Sequence, residues 1–475
     1  MNLESQRIPL KEKIGYSLGD AAANFYFQMY IVFMMYFYTD VFGLAAGTVG
    51  TIFLFSRIWD AVNDPMMAAI ADRTNTRWGK YRPWVLFAAF PLALFGVLTF
   101  TTPNFGIVGK IIWACFTYNF LMMSYTANNV PYSALMGVMT GDSIERTALS
   151  SARFIAANMA MLAIQGFALP LVGKLGKGND ALGFMLTMIV FSSLALLFLI
   201  ITFLSSKERI KPAPGQKTSI KQDLFDLAKN RPWVAMFIMT VFVFIYWSMK
   251  GSIGIYYTKY FVDHNSLRRF LEFFPFLRRG AALDVVKTGF TFFSVSGVLA
   301  QLIGIMCSKF LAVRFGKRDV FRVCLFLSGC STVVFMFLSK DAILLQFVFS
   351  ILIQLFYGPT VPLLWAMVAD IADFTEWKTN RRATAMTFAT ILFALKLGLS
   401  LGGALAGWLL SLYGYVPDAQ QTATALKGIR YLVSLYPAIM FFIGVVALLF
   451  YEIDRKIEIK MEEELLERRK HYKYE

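Results

Sequence analysis

The chain has 475 residues, of which 57% are hydrophobic, 16% aromatic and only 16% charged. Soluble domains carry about 25% charged residues, so the composition excludes an ordinary soluble protein and points to a polytopic membrane protein. A net charge of +16 would suggest a nucleic-acid partner in a soluble chain. Here the basic residues lie in loops between apolar runs, where they set orientation, and no nucleic-acid partner is expected.

The start, MNLESQRIPLKEK, has no signal-peptide pattern, so the first helix is expected to remain uncleaved. Cys115, Cys307, Cys324 and Cys330 show no disulfide or zinc spacing, and two histidines leave little for a His-based metal site. Apolar periodicity predicts twelve spans, at roughly 14–39, 47–71, 84–101, 107–137, 150–172, 182–205, 232–261, 286–312, 320–338, 343–371, 384–413 and 430–451. They divide the chain into an N-terminal six-helix bundle (1–205), a cytoplasmic linker (206–231), a C-terminal six-helix bundle (232–451) and a tail (452–475). The loops after the second, sixth and eighth spans are rich in Lys and Arg. The positive-inside rule makes them cytoplasmic, with both termini.

The second span carries Arg57-Ile58-Trp59-Asp60-Ala61-Val62-Asn63-Asp64-Pro65. On a helix Arg57, Asp60 and Asp64 fall on one face, with Asn63 beside them. Each ionisable group near the bilayer centre costs about 2.5–3.5 kcal/mol on insertion scales. Two carboxylates and an amide oxygen make a hard, oxygen-only ligand set suited to a cation. The alternative is an Arg57–Asp60 pair that only ties helices together.

In the seventh span Lys250 lies too deep to snorkel easily. It either pairs with an aspartate of another helix or lines a cavity, where Trp247 could stack on a ligand ring. Residues 262–285 mix Arg268, Arg269, Arg278 and Arg279 with Phe270, Phe273, Phe274 and Phe276. They break the loop rule and predict a helix lying in the outer interface, a miscounted span being the alternative. At the cytoplasmic level Asp370, Asp373 and Glu376 face the height of Arg73, Arg77, Lys80 and Arg314. These residues are expected to form an inner gate, the alternative being a solvated loop. The tail reads as an amphipathic helix without chemistry.

Arg77-Trp78-Gly79-Lys80 recurs as Arg314-Phe315-Gly316-Lys317, 237 residues later. Two halves with matching loops suit a transporter that rocks around a site between repeats. No catalytic nucleophile–base pair is visible, so no enzyme is expected.

Taken together, Gly15-Tyr16-Ser17-Leu18-Gly19-Asp20, Tyr38-Thr39-Asp40, Arg57–Pro65, Asn75–Pro83 and Ala369–Trp377 resemble the glycoside–pentoside–hexuronide:cation symporters, the melibiose permease-like branch of the major facilitator superfamily. The resemblance covers nearly the whole chain. It implies an all-α membrane protein of twelve transmembrane helices in two pseudo-symmetric six-helix bundles. The function implied is cation-coupled import of a glycoside, pentoside or hexuronide, with no cofactor. By the resemblance Asp60, Asn63 and Asp64 match the coupling-cation ligands, and Thr126 the hydroxyl that completes the site. Asn63 and Thr126 tilt the reading to Na⁺, with H⁺ as the alternative.

The sugar-binding positions of melibiose permease fall on Asn24, Asn129, Arg153 and Lys396, with Trp247 and Lys250 added from the residues themselves. Asn24 and Asn129 stand where melibiose permease has aspartates, and Ala23 where it has a lysine. Lys250 is an added cation, so the charge balance favours an acidic sugar, unless a protein carboxylate neutralises Lys250. The protein is expected in the inner membrane, in contact with the lipid bilayer and working as a monomer. The competing function is export or transport of a lysolipid or drug-like amphiphile on the same fold.

Overall fold

A computed structural model describes residues 8–140, 143–209, 227, 229–379 and 384–470. Among these, every regular element is a helix, with one isolated bridge between Thr76 and Gly79. The first element is α1 (Leu10–Gln28), which runs on through π turns at Met29–Phe33 and Phe37–Val41. It is followed by α2 (Ala46–Arg73), α3 (Arg82–Phe87), α4 (Ala89–Thr99), α5 (Ile107–Met139), α6 (Ser143–Gly176) and α7 (Asp180–Ser205). Then come α8 (Arg231–Tyr256), α9 (His264–Glu272), α10 (Arg278–Leu283), α11 (Val285–Phe315), α12 (Lys317–Val334), α13 (Ile343–Tyr357) and α14 (Thr360–Thr379). The last are α15 (Thr384–Leu412), α16 (Ala423–Val433), α17 (Leu435–Leu449) and α18 (Arg455–Lys470).

Nine helices among the described residues are long and apolar enough to span a bilayer. α2 is not among them: its described apolar stretch is Ala46–Ser56, and Arg57, Asp60 and Asp64 follow in the sequence. α12 opens on Lys317, Arg318, Asp319 and Arg322, and α1 carries Lys11, Glu12, Lys13 and Asp20. Helix starts follow local chemistry. The Asn179 side chain accepts from Leu182 N at 3.1 Å, and Asn230 accepts from Trp233 N at 3.3 Å ahead of Pro232.

The chain forms two compact units. The first holds residues 1–215 with 279–292 and 407–422, and the second holds 216–278, 293–406 and 423–475. In the first unit α1 packs on α7, and α4 packs on both α5 and α7. In the second, α8 packs on α17, and α12 packs on both α13 and α17. The same packing order recurs about 237 residues on, which is the structural form of the sequence repeat. Its loop glycines share a backbone need. Gly79 has φ 113° and Gly316 φ 86°, a region where a Cβ is strained.

Small residues set the close approaches within each unit. A Cβ on Gly19 would stand 2.5 Å from the Tyr132 ring, so α1 lies hard against α5. Cβ atoms on Gly398 and Gly402 would stand 2.4 and 2.5 Å from the carbonyl oxygens of Val241 and Ile245. That brings α15 against α8, where Ser248 Oγ donates to Leu399 O at 2.8 Å. The linker's residues 210–226 lie outside the described residues.

Candidate functional site

In the first unit α2 and α5 pack together and place Asp60, Asp64 and Thr126 at one point. Thr126 Oγ1 lies 3.0 Å from Asp60 Oδ1 and 3.0 Å from Asp64 Oδ1. Thr126 is 2% exposed and Asp60 4%. A hydroxyl carries one proton, so it donates to one carboxylate only. A proton on a carboxyl or a cation between the oxygens would relieve the second close oxygen pair. Three convergent hard oxygens in a buried place can provide for either. Asn63 is half-buried one residue from Asp64, and no described hydrogen bond ties it to Thr126. The Arg57 side chain lies outside the described residues.

A second cluster forms where α1, α5 and α6 meet. Arg153 donates from Nε to Asp20 Oδ2 at 3.3 Å and from Nη2 to Asp20 Oδ1 at 3.4 Å. Its guanidinium lies 4.8 Å from the Tyr132 ring centre. Tyr16 and Tyr132 exchange hydroxyl-to-carbonyl hydrogen bonds at 3.0 and 2.8 Å and stack at 4.7 Å. Asn24 Nδ2 donates to Asp20 O at 2.8 Å, one turn on. Asn129 Nδ2 donates to the Tyr125 hydroxyl at 2.8 Å, and Ser133 Oγ donates to Asn129 Oδ1 at 3.3 Å. Asp20, missed as a site residue, is the partner that fixes Arg153. The signal was in the sequence: a lone carboxylate in the first span, within the motif that began the family match.

The other expected residues lie in the second unit. The Lys250 ammonium is buried with no hydrogen-bond partner among the described residues, 5.6 Å from the Tyr246 ring centre. Of the two readings of Lys250, the described contacts give no aspartate hydrogen-bonded to it. Trp247 is half-buried one turn away, and Lys396 is half-buried on α15, its carbonyl accepting from Ser400 Oγ at 2.7 Å.

Two of the expected gate residues, Lys80 and Asp370, have described partners outside the expected set. In the first unit Arg73 and Arg77 are exposed, and the backbone amides of Lys80, Tyr81 and Arg82 all donate to Glu208, at 2.8, 2.8 and 3.0 Å. In the second, Lys317 bridges Asp370 and Glu458 at 2.8 and 2.9 Å. Burial alone would lower the Lys317 pKa, but Asp370 and Glu458 more than offset this and hold it above its ordinary value. Arg314 is exposed and its carbonyl accepts from Arg455. Asp373 is half-buried and Glu376 buried. Glu208 and Glu458 were not picked out in the sequence, and Lys317 only as part of the repeat, because charged residues outside the spans reveal their partners only through folding.

The tail forms a helix, as expected, and one face of it is covered. Glu464 accepts from Trp377 Nε1 at 2.6 Å, and Met461 and Leu465 are buried, so α18 docks on α14. The segment 262–285, expected as a single helix, holds two short ones, His264–Glu272 and Arg278–Leu283. Phe273 and Phe276 between them are 81% and 74% exposed.

The family model described as MFS/sugar transport protein matches residues 15–455. The chain is 35% identical to the inner membrane symporter YicJ of Escherichia coli K12, over 95% of this chain and 94% of that protein. It is 32% identical to the isoprimeverose transporter of Lactiplantibacillus pentosus, over 97% and 92%. Among solved structures it superposes on a bacterial homologue of the human lysosomal transporter Spinster. The TM-score is 0.65 at 12% identity, over 95% of this chain and 98% of that one, a likeness of fold.

Proposed function

The chain belongs to the MFS/sugar transport protein family, a membrane-transport family and not an enzyme family, and from that premise we propose that it is a secondary symporter moving a sugar or glycoside with Na⁺ or H⁺. The observation that carries the coupling is the single Thr126 hydroxyl held 3.0 Å from both Asp60 and Asp64. With neither cation nor proton present, a buried carboxylate (Asp60) and a half-buried one (Asp64) repel across that hydroxyl. Loading the site removes the repulsion and favours the state that accepts sugar. By linkage, sugar then tightens cation binding by the same factor. Asn63 supplies a fourth oxygen after a side-chain rotation.

The sugar contacts assigned are Asn24, Asn129 and Arg153 from the first unit, and Trp247, Lys250 and Lys396 from the second. The asparagines offer both donor and acceptor to hydroxyl groups. Arg153 is already engaged by Asp20, so it orients this face more than it supplies a free charge. Lys250, a buried amine without a described partner, supports an acidic sugar as the preferred substrate, because a substrate carboxylate relieves an uncompensated cation.

The protein is placed in the inner membrane, with both termini cytoplasmic and the monomer as the working form. The test of coupling is uptake into vesicles under imposed Na⁺ or pH gradients. Asp60→Asn should abolish accumulation against a gradient while leaving downhill exchange measurable. Retained uphill uptake in that variant would remove the site assignment.

A further inference from the structure

The second unit ends in a cationic, aromatic surface that the transport reading does not use. Within 259–278, 336–341 and 423–431, seven lysines and arginines stand against three carboxylates. These segments meet physically: Asp263 N donates to Lys340 O at 3.0 Å, and Arg430 donates from Nη2 to the carbonyl of Met336. Loop charge assigns this end to the outside, where such an excess of cations is unusual.

A cavity of about 430 Å³ opens here, lined by Phe261, Phe337, Leu426, Lys427, Arg430 and Tyr431 among others. Phe337 is 73% exposed, so the cavity's apolar rim faces away from the helix core. Lys427 and Arg430 lie four and seven residues after the start of α16 at Ala423, about 6 and 10 Å along the helix. The guanidinium of Arg430 lies 5.7 Å from the Phe261 ring centre, and the Lys427 ammonium 5.6 Å from that of Tyr431. Arg430 Nε is buried and has no hydrogen-bond partner among the described residues. A buried N–H left unpaired is costly, and a guanidinium edge suits a phosphate oxygen.

We propose that this cavity binds the head group of an anionic phospholipid from the surrounding leaflet. Arg430 and Lys427 engage the phosphate, and an acyl chain runs out over Phe337. The neighbouring Arg268 and Arg269 on α9 raise the local concentration of anionic lipid, while the exposed Phe273 and Phe276 sit in the interface.

Purified full-length protein in neutral detergent micelles is offered equal amounts of phosphatidylglycerol and phosphatidylcholine, and native mass spectrometry reads the lipid retained. Phosphatidylglycerol should be preferred by about fivefold or more, and K427Q/R430Q should remove most of that preference. The charge-matched variant K174Q/K177Q should keep it. R430K, which keeps the charge and loses the fork, should retain less than half and serves if the double variant does not fold. Equal retention by parent, K427Q/R430Q and R430K overturns the proposal, as does an equal loss in K174Q/K177Q. Thermal unfolding with inorganic phosphate or glycerol phosphate separates the sources. A rise in Tm with these soluble anions equal to that with phosphatidylglycerol would assign the site to a free anion instead.

Discussion

At the scale of single residues, the most telling arrangement is one hydroxyl shared by two carboxylates. Thr126→Val keeps the shape and removes the oxygen, so cation affinity should fall by about tenfold, or about 1.4 kcal/mol. The activating Na⁺ or H⁺ concentration for uptake measures it, and an unchanged value would separate Thr126 from the site. Arg153 and Asp20 permit a test of a different kind. Asp20→Asn strands a mostly buried guanidinium, which costs about 3–5 kcal/mol when no partner remains. A large fall in Tm is expected, partly recovered in Asp20→Asn/Arg153→Gln. Lys250→Gln should erase any preference for a glucuronide over the matching glucoside in competition assays. An unchanged ratio would show that the substrate's charge is read elsewhere. Asp60 and Asp64 were legible in the sequence because charge in an apolar run is costly and therefore conspicuous. Thr126 was not legible by itself, since a membrane threonine commonly bonds only its own helix, and it entered through family resemblance. Asp20 was visible yet unused, because its partner is 133 positions away.

At the scale of elements, helix positions were readable from apolar runs, but some ends moved by seven residues, as at Ser143 and Ala423, and the runs expected at 84–101, 343–371 and 430–451 are each divided into two helices. The paired loops show how a repeat is conserved in geometry while its partners diverge. Gly79 and Gly316 both take positive φ, but a Cβ at 79 would stand 2.6 Å from the Glu208 carboxylate, whereas one at 316 meets Arg455 at 3.3 Å. Gly79→Ala should therefore cost more stability than Gly316→Ala, each beyond the roughly 1 kcal/mol of backbone strain. Thermal unfolding of the two variants ranks them, and the reverse order would discredit the role given to the Glu208 cradle. The tail helix was readable as amphipathic from its mixed charges, but not what it covers, which Glu458 on Lys317 and Glu464 on Trp377 show.

At the scale of the whole molecule, the first unit gathers segments from both halves of the sequence. Residues 279–292 and 407–422 join the N-terminal helices there. Lys287 pairs with Asp180 at 2.6 Å, the Tyr415 hydroxyl bonds Asp40, and Trp408 Nε1 donates to Thr51 Oγ1 at 3.1 Å. None of this was foreseen, because the expected gate was sought in the basic loops at the other ends of the helices. Alternating access requires such a seam to part in every cycle. The seam also offers a clean lock. A Cβ built on Gly47 would lie 3.2 Å from Ser411 Cβ, so an outward shift of about half an ångström reaches the roughly 3.8 Å at which disulfides hold Cβ atoms. In a background lacking the four native cysteines, Gly47→Cys/Ser411→Cys should therefore oxidise readily. Uptake should then stop and return on reduction, while each single variant keeps transporting. The bond fixes the seam without touching Asp60, Asp64 or Thr126, so cation binding to the oxidised protein should persist. Transport at the parental rate with the disulfide formed would mean that this seam never opens, and that the site is reached by another route.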